Sequence, residues 1–135
     1  MASSSSGARI LIIDDDELVA RVLQRALHGY DVSVLLDPRE ALEQIAAGAR
    51  FDVIVCDLMM PFMTGARLHD QIAQHAPEQA RRMIFVTGGA MTPETEELLE
   101  GSQQPILDKP VSLARLRQEV QRVLESDGGD GGDGR

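Results

Sequence analysis

Residues 51–65 read FDVIVCDLMMPFMTG. Phe51 to Cys56 is almost wholly apolar once Asp52 is passed, the composition of a strand buried on both faces. The run ends on a carboxylate, Asp57. A loop with Pro61 then leads to Gly65, after which Ala66, Leu68, Ile72 and Ala73 recur at helical spacing. Strand, loop and helix in that order make one βα unit, with Asp57 at the carboxyl end of its strand.

The same unit recurs on either side. Upstream, Arg9 to Ile13 (RILII) reads as a buried strand. It is followed by a helix over Glu17 to His28, with Leu18, Val19, Val22, Leu23, Ala26 and Leu27 on its apolar stripe and Gly29 as its stop. Val32 to Leu36 reads as a second strand. Asp37 and Pro38 supply an N-cap and a first helical residue for a helix running to about Ala47, where Gly48 ends it. Downstream, Met83 to Val86 (MIFV) is a fourth strand, and Thr92-Pro93 opens a helix through Leu98 and Leu99. Pro105 to Leu107 is a short fifth strand, and Ser112 caps a last helix carrying Leu113, Leu116, Val120, Val123 and Leu124. Apolar strands alternating with amphipathic helices predict an α/β fold: a five-stranded parallel sheet covered by helices on both faces, (βα)5 and flavodoxin-like.

Composition fits one such domain. The chain has 135 residues, 43% hydrophobic and 26% charged, with only 3% aromatic, so the core is aliphatic. A formal charge of −9 argues against a nucleic-acid binder, which needs clustered Lys and Arg. Cys56 is the sole cysteine, so no internal disulfide forms, which suits a reducing cytoplasm. No apolar run approaches the ~18 residues of a membrane span, and the small polar start has no signal-peptide pattern. The expected organisation is a flexible leader over 1–7, a folded domain over 8–125, and a disordered Gly/Asp tail or linker over 126–135.

Open parallel sheets bind ligands beyond the carboxyl ends of their strands, and the residues there are chemically coherent. Asp14, Asp15 and Asp16 follow the first strand, Asp57 the third, Thr87, Gly88 and Gly89 the fourth, and Lys109 the fifth. Carboxylates crowded at one edge repel unless a cation joins them. Oxygen ligands without nearby His or Cys favour a hard ion, Mg²⁺ or Mn²⁺. A hydroxyl and an ammonium on neighbouring strands complete a site for a phosphoryl group, with a carboxylate as nucleophile. Asp16 fits two roles, helix N-cap or neighbour of the metal shell. His28, His69 and His75 read as surface residues, and Cys56 as core.

These residues resemble the receiver (CheY-like) domain of two-component response regulators. The resemblance covers essentially the whole folded span. It rests on ILIIDDD (10–16), DVIVCDLMMPFMTG (52–65), the Val86-Thr87-Gly88 strand end and Asp108-Lys109-Pro110. It implies that Asp57 is the phosphoacceptor. It implies a metal site of Asp14, Asp15, Asp57 and the backbone carbonyl of Met59, with Thr87, Gly88 and Lys109 binding the phosphoryl group. Pro61 and Gly65 match the residues that shape the loop after the acceptor. Where the family often carries Tyr or Phe as a rotameric switch, this chain has Ile106, and Val111 replaces a common Phe after the Lys-Pro pair. The stretch GSQQPILDKP (101–110) looks more like receivers fused to hybrid sensor histidine kinases than like those of transcription factors.

The function so implied is phosphorelay signalling: Mg-dependent transfer from a kinase phosphohistidine to Asp57, switching a protein-interaction face. The chain then catalyses only its own phosphorylation and dephosphorylation. The partners are a sensor histidine kinase or phosphotransfer protein and a downstream protein effector, without nucleic-acid or membrane contact, and with a homodimer through the last two helices as an option. No DNA-binding segment follows the domain, so output passes through a partner protein, or the chain is a piece of a sensor kinase. Two other classes are weighed. A receiver-like docking module would need no phosphorylation. A haloacid-dehalogenase-type phosphohydrolase would use the Asp14-x-Asp16 spacing, but it would leave Asp57 unexplained.

Overall fold

The computed structural model describes residues 7–89 and 91–133, with side chains through Ser126. Most of the expected leader, and the side chains and last residues of the expected Gly/Asp tail, lie outside the described residues. Five strands, β1 (Arg9–Ile13), β2 (Asp31–Leu35), β3 (Val53–Asp57), β4 (Met83–Thr87) and β5 (Ile106–Asp108), alternate with five helices: α1 (Glu17–Ala26), α2 (Pro38–Ala46), α3 (Gly65–His75), α4 (Pro93–Leu99) and α5 (Leu113–Asp133). A one-turn helix, Pro77–Ala80, follows α3.

All strand pairs are parallel, in the order β2-β1-β3-β4-β5. The chain steps outward from β1 to β2 and then crosses back to β3. This leaves the topological switch point between β1 and β3, where such sheets open a crevice at their carboxyl edge. That crevice separates Asp14 and Asp15 from Asp57.

Side-chain alternation along the strands builds two apolar layers. Leu11, Ile13, Ile54, Cys56, Met83 and Phe85 pack under α2 and α3, with Leu98 and Leu99 of α4 against them. Ile10, Ile12, Val53, Val55, Ile84 and Val86 pack under α1 and α5, meeting Ala20, Leu23, Leu116 and Val120. The central strands β3 and β4 are buried at every position, as strands covered on both faces must be.

The helix starts are set by side-chain caps. Asp16, Asp37, Thr64 and Thr92 each accept from a backbone N–H of the first turn, and Ser112 Oγ accepts from Arg115 N at 3.2 Å. Each such cap stabilises by about 1 kcal/mol. The first helix stops at Ala26, short of the expected His28, because Leu27 leaves helical geometry ahead of Gly29, whose φ of +98° is left-handed.

Two differences follow from side chains that bond outside the ladder. β3 begins at Val53, not Phe51, because the Phe51 peptide is held by the buried Gln79: its N–H donates to Oε1 at 2.9 Å and its carbonyl accepts from Nε2 at 3.0 Å. Gln79 lies on the one-turn helix that the sequence pattern did not indicate. His69 is not a surface residue. It is half-buried, with its ring edge-on to Phe85 at 5.7 Å, and burial foremost lowers its pKa. Its i+4 spacing from Gly65 puts it on the inner side of α3, among Ala66, Leu68 and Ile72. His28 and His75 are exposed and Cys56 is fully buried.

Candidate functional site

Asp57 is itself the last residue of β3, opposite Val86 in the ladder. The strand therefore delivers its carboxylate to the crevice on a rigid element, and Leu58 N donates to Val86 O at 2.9 Å just beyond it. Its side chain is 6% exposed. Asp14, one residue past β1 and 1% exposed, faces it across the switch point. Asp15 stands outside them, exposed. Carboxylate oxygens of Asp14, Asp15 and Asp57 lie within 4.8 Å of one another.

Lys109 closes the site from the end of β5. Its backbone N–H donates to Thr87 O at 2.8 Å, fixing the residue to the neighbouring strand. Its Nζ is 3.3 Å from Asp57 Oδ1 and 3.5 Å from Asp14 Oδ2. Gly88 leaves room beside it: a Cβ there would stand 3.3 Å from the Lys109 side chain, a tight contact. Thr87 is buried at the end of β4, its hydroxyl donating to Gly89 O at 3.3 Å.

One ammonium does not satisfy this cluster. Burial foremost, then the Asp14 charge, raises the pKa of Asp57 despite Lys109. Burial likewise raises Asp14, against the Asp16 N–H and Lys109. Burial alone would lower Lys109, but Asp14 and Asp57 outweigh it and the net direction is up. Asp14 Oδ1 accepts from Asp16 N at 2.9 Å, while Oδ2 is buried without a hydrogen bond. A buried anionic oxygen whose nearest partner is an ammonium at 3.5 Å, beside two further carboxylates, is a donor set suited to a hard divalent cation. The residues present therefore fit a metal ion, and its ligands would come from Asp14, Asp15 and Asp57.

Asp16 is the N-cap of α1, accepting from Leu18 N at 3.0 Å, the first of its two expected roles. The loop after Asp57 is shaped by Gly65, where a Cβ would lie 2.5 Å from the Asp57 carbonyl oxygen. Phe62, at φ +71° and 74% exposed, lies under the Arg39 guanidinium at 3.9 Å. Met59 is partly exposed beside the acceptor. Ile106 is 39% exposed on the outer edge of β5. Sequence reasoning missed the spacing role of Gly88; the legible signal was its place directly after Thr87, on the strand beside the one that ends at Lys109.

Residues 10–121 match the response regulator receiver domain family. The chain belongs to that family. The receiver is 33% identical over 126 residues to response regulator MprA of Mycolicibacterium vanbaalenii, covering 89% of this chain and 53% of that one. It is 32% identical over 119 residues to sensor histidine kinase RcsC of Salmonella typhi, covering 87% of this chain and 12% of that one. The chain thus spans about half the length of the first relative and about an eighth of the second. Among solved structures, a CheY-like response regulator receiver domain protein from Methanospirillum hungatei superposes with a TM-score of 0.81 at 26% identity, over 93% of this chain and 99% of that one. The receiver is accordingly a phosphorelay signalling domain with the flavodoxin-like fold. Among the described residues, no helix is long and apolar enough to cross a membrane.

Proposed function

We propose that the receiver accepts a phosphoryl group on Asp57 from a phosphohistidine of a sensor histidine kinase or phosphotransfer protein, with Mg²⁺ in the Asp14, Asp15 and Asp57 cluster. The carrying observation is three clustered carboxylates, Asp14, Asp15 and Asp57, two of them buried, served by one ammonium, Lys109, at 3.3 and 3.5 Å. Such a cluster is incomplete without a cation and is positioned to charge-balance an incoming phosphoryl group.

In this reading an Asp57 carboxylate oxygen attacks phosphorus in line, the P–N bond to the donor imidazole breaks, and the imidazole leaves with the bonding pair. Bound Mg²⁺ would neutralise charge on the phosphoryl oxygens, and the Met59 carbonyl would join Asp14, Asp15 and Asp57 in holding it. Lys109 Nζ, already 3.3 Å from Asp57, pairs with one phosphoryl oxygen. The Thr87 hydroxyl exchanges its Gly89 partner for another oxygen, and the Gly88 N–H donates to the same group. Release of Gly89 by Thr87 is the local change that biases the face of α4, β5 and α5 toward its active form. With Ile106 in place of an aromatic, the Thr87 movement and the Gly89 backbone carry the message without a ring swinging inward. The domain acts in the cytoplasm, as part of a response regulator or of a larger sensor kinase, and its output is a protein contact.

The test is intact-mass spectrometry after incubation with acetyl phosphate. The wild-type chain gains the mass of one phosphoryl group with Mg²⁺ and none with excess EDTA, and Asp57→Asn gains none in either condition. Labelling of Asp57→Asn at the wild-type level, or labelling that ignores EDTA, would contradict the proposal.

A further inference from the structure

A cleft of about 710 Å3 opens at the opposite end of the sheet from Asp57, between the starts of β4 and β5 and the face of α5 that carries Arg115, Glu119 and Arg122. In a chain of net charge −9, its lining is unusual: Arg81, Arg82, Arg115 and Arg122 surround it, against one carboxylate, Glu119. The arginines come from two segments far apart in sequence. Arg81 and Arg82 precede β4, while Arg115 and Arg122 lie two turns apart on α5.

Glu119, only 3% exposed, organises the α5 pair. Its Oε2 is 3.2 Å from Arg115 Nε and 3.8 Å from Arg122 Nη1. One buried carboxylate oxygen thus pairs with two guanidinium groups by one nitrogen each, and both arginines line the cleft. Arg82 pairs with Asp52 at 3.8 Å. Ser102 donates to Gln104 Oε1 at 2.7 Å, and Gln104 in turn donates to the Arg81 carbonyl, fixing the β5 approach against the β4 start.

We propose that this cleft binds a nucleoside phosphate. Guanidinium groups recognise phosphate through paired N–H donors and stack on planar rings, so converging arginines serve both halves of such a ligand. The volume lies within the range of small-molecule sites, roughly 300–1,000 Å3. An amphipathic peptide helix fits less well: Pro105 and Val123 are the apolar side chains that line the cleft, too few to anchor such a helix in a groove. The site is independent of the acceptor chemistry, since none of its residues touches Asp14, Asp57 or Lys109.

The experiment is titration of the ¹⁵N-labelled full chain with ADP in EDTA, which removes metal-dependent phosphate binding at Asp57. Amide shifts should saturate over residues 101–105 and 115–126. Arg115→Gln/Arg122→Gln should weaken ADP binding roughly tenfold or more, as the loss of charge-assisted hydrogen bonds does. Arg81→Gln, at an exposed residue, provides a second variant, expected to weaken binding as well. Labelling by acetyl phosphate should be unchanged in both, so failure here is distinguishable from failure at Asp57. The proposal is overturned by absent or non-saturating shifts, by inorganic phosphate binding as tightly as ADP, by variants that bind ADP like the wild type, or by hexaglutamate binding more tightly than ADP.

Discussion

Asp14 and Asp57 are carboxyls that burial holds above the ordinary aspartate value of 3.8. A carboxyl whose folded-state pKa is raised favours the proton in the native state. Its contribution is therefore most favourable below the unfolded value, and stability is lost as pH rises through the raised folded value. At neutral pH without metal, the charged pair is a net cost. Asp14→Asn should accordingly raise the metal-free Tm at pH 7 by roughly 2–6 °C. The gain should shrink as pH falls toward 4, and Mg²⁺ should raise the Tm of wild type more than that of the variant. Thermal melts with and without Mg²⁺ at the two pH values check this; a variant no more stable than wild type at pH 7 would refute it. Gly65 makes a different demand at the same scale. Gly65→Ala places a Cβ 2.5 Å from the Asp57 carbonyl oxygen, so backbone must move. The variant should lose about 1–3 kcal/mol in urea melts and accept phosphate at least several-fold more slowly. These residues were legible because polar groups at the ends of apolar strands stand out in a sequence. The burial that raises the Asp14 and Asp57 pKa values was not, because it depends on which strands become neighbours.

At the scale of elements, the caps and the strands were readable from local chemistry. Asp16, Asp37, Thr92 and Ser112 each precede a helical stripe, and the β3 and β4 runs are too apolar for anything but a covered strand. What escaped were contacts between distant segments. Gln79 bonds both polar groups of the Phe51 peptide, a staple that no local pattern announces. Gln79→Ala should cost roughly 2–4 kcal/mol, because a buried N–H and C=O lose their partners, while labelling of Asp57 stays near wild type below the melting transition. Chemical denaturation and acetyl phosphate labelling of the same sample separate the two. Asp16→Ala tests the division of labour after β1. As an N-cap it should cost about 1 kcal/mol and leave Mg²⁺ affinity nearly unchanged, because its side chain bonds Leu18 N and Val19 N and no candidate metal ligand. A large loss of Mg²⁺ affinity would return Asp16 to the metal site. His69 escaped for the same reason as Gln79: a polar residue on a short helix reads as solvent-facing until Phe85 is seen beneath it.

At the scale of the molecule, the sheet order explains why one carboxyl edge gathers residues from positions 14 to 109. The crossover from β2 back to β3 opens the switch point, and β4 and β5 bring Thr87 and Lys109 to the same rim. The opposite edge carries the arginine cleft, so acidic chemistry and basic surface sit at the two ends of the parallel strands. Its residues were present in the sequence as Arg81-Arg82 and as Arg115, Glu119 and Arg122 at helical spacing, yet only the fold brings them around one space. If phosphorylation acts through Thr87 and Gly89, amide shifts on labelling should extend from those residues into α4 and β5, and spare α2. The central claim, that Asp57 is the nucleophile, is tested most directly by trapping the acyl phosphate. The chain is treated with acetyl phosphate and Mg²⁺, reduced with borohydride, digested and sequenced by mass spectrometry. The account predicts homoserine at position 57 and aspartate retained at positions 14 and 15; homoserine at 14 or 15, with position 57 unchanged, would contradict it.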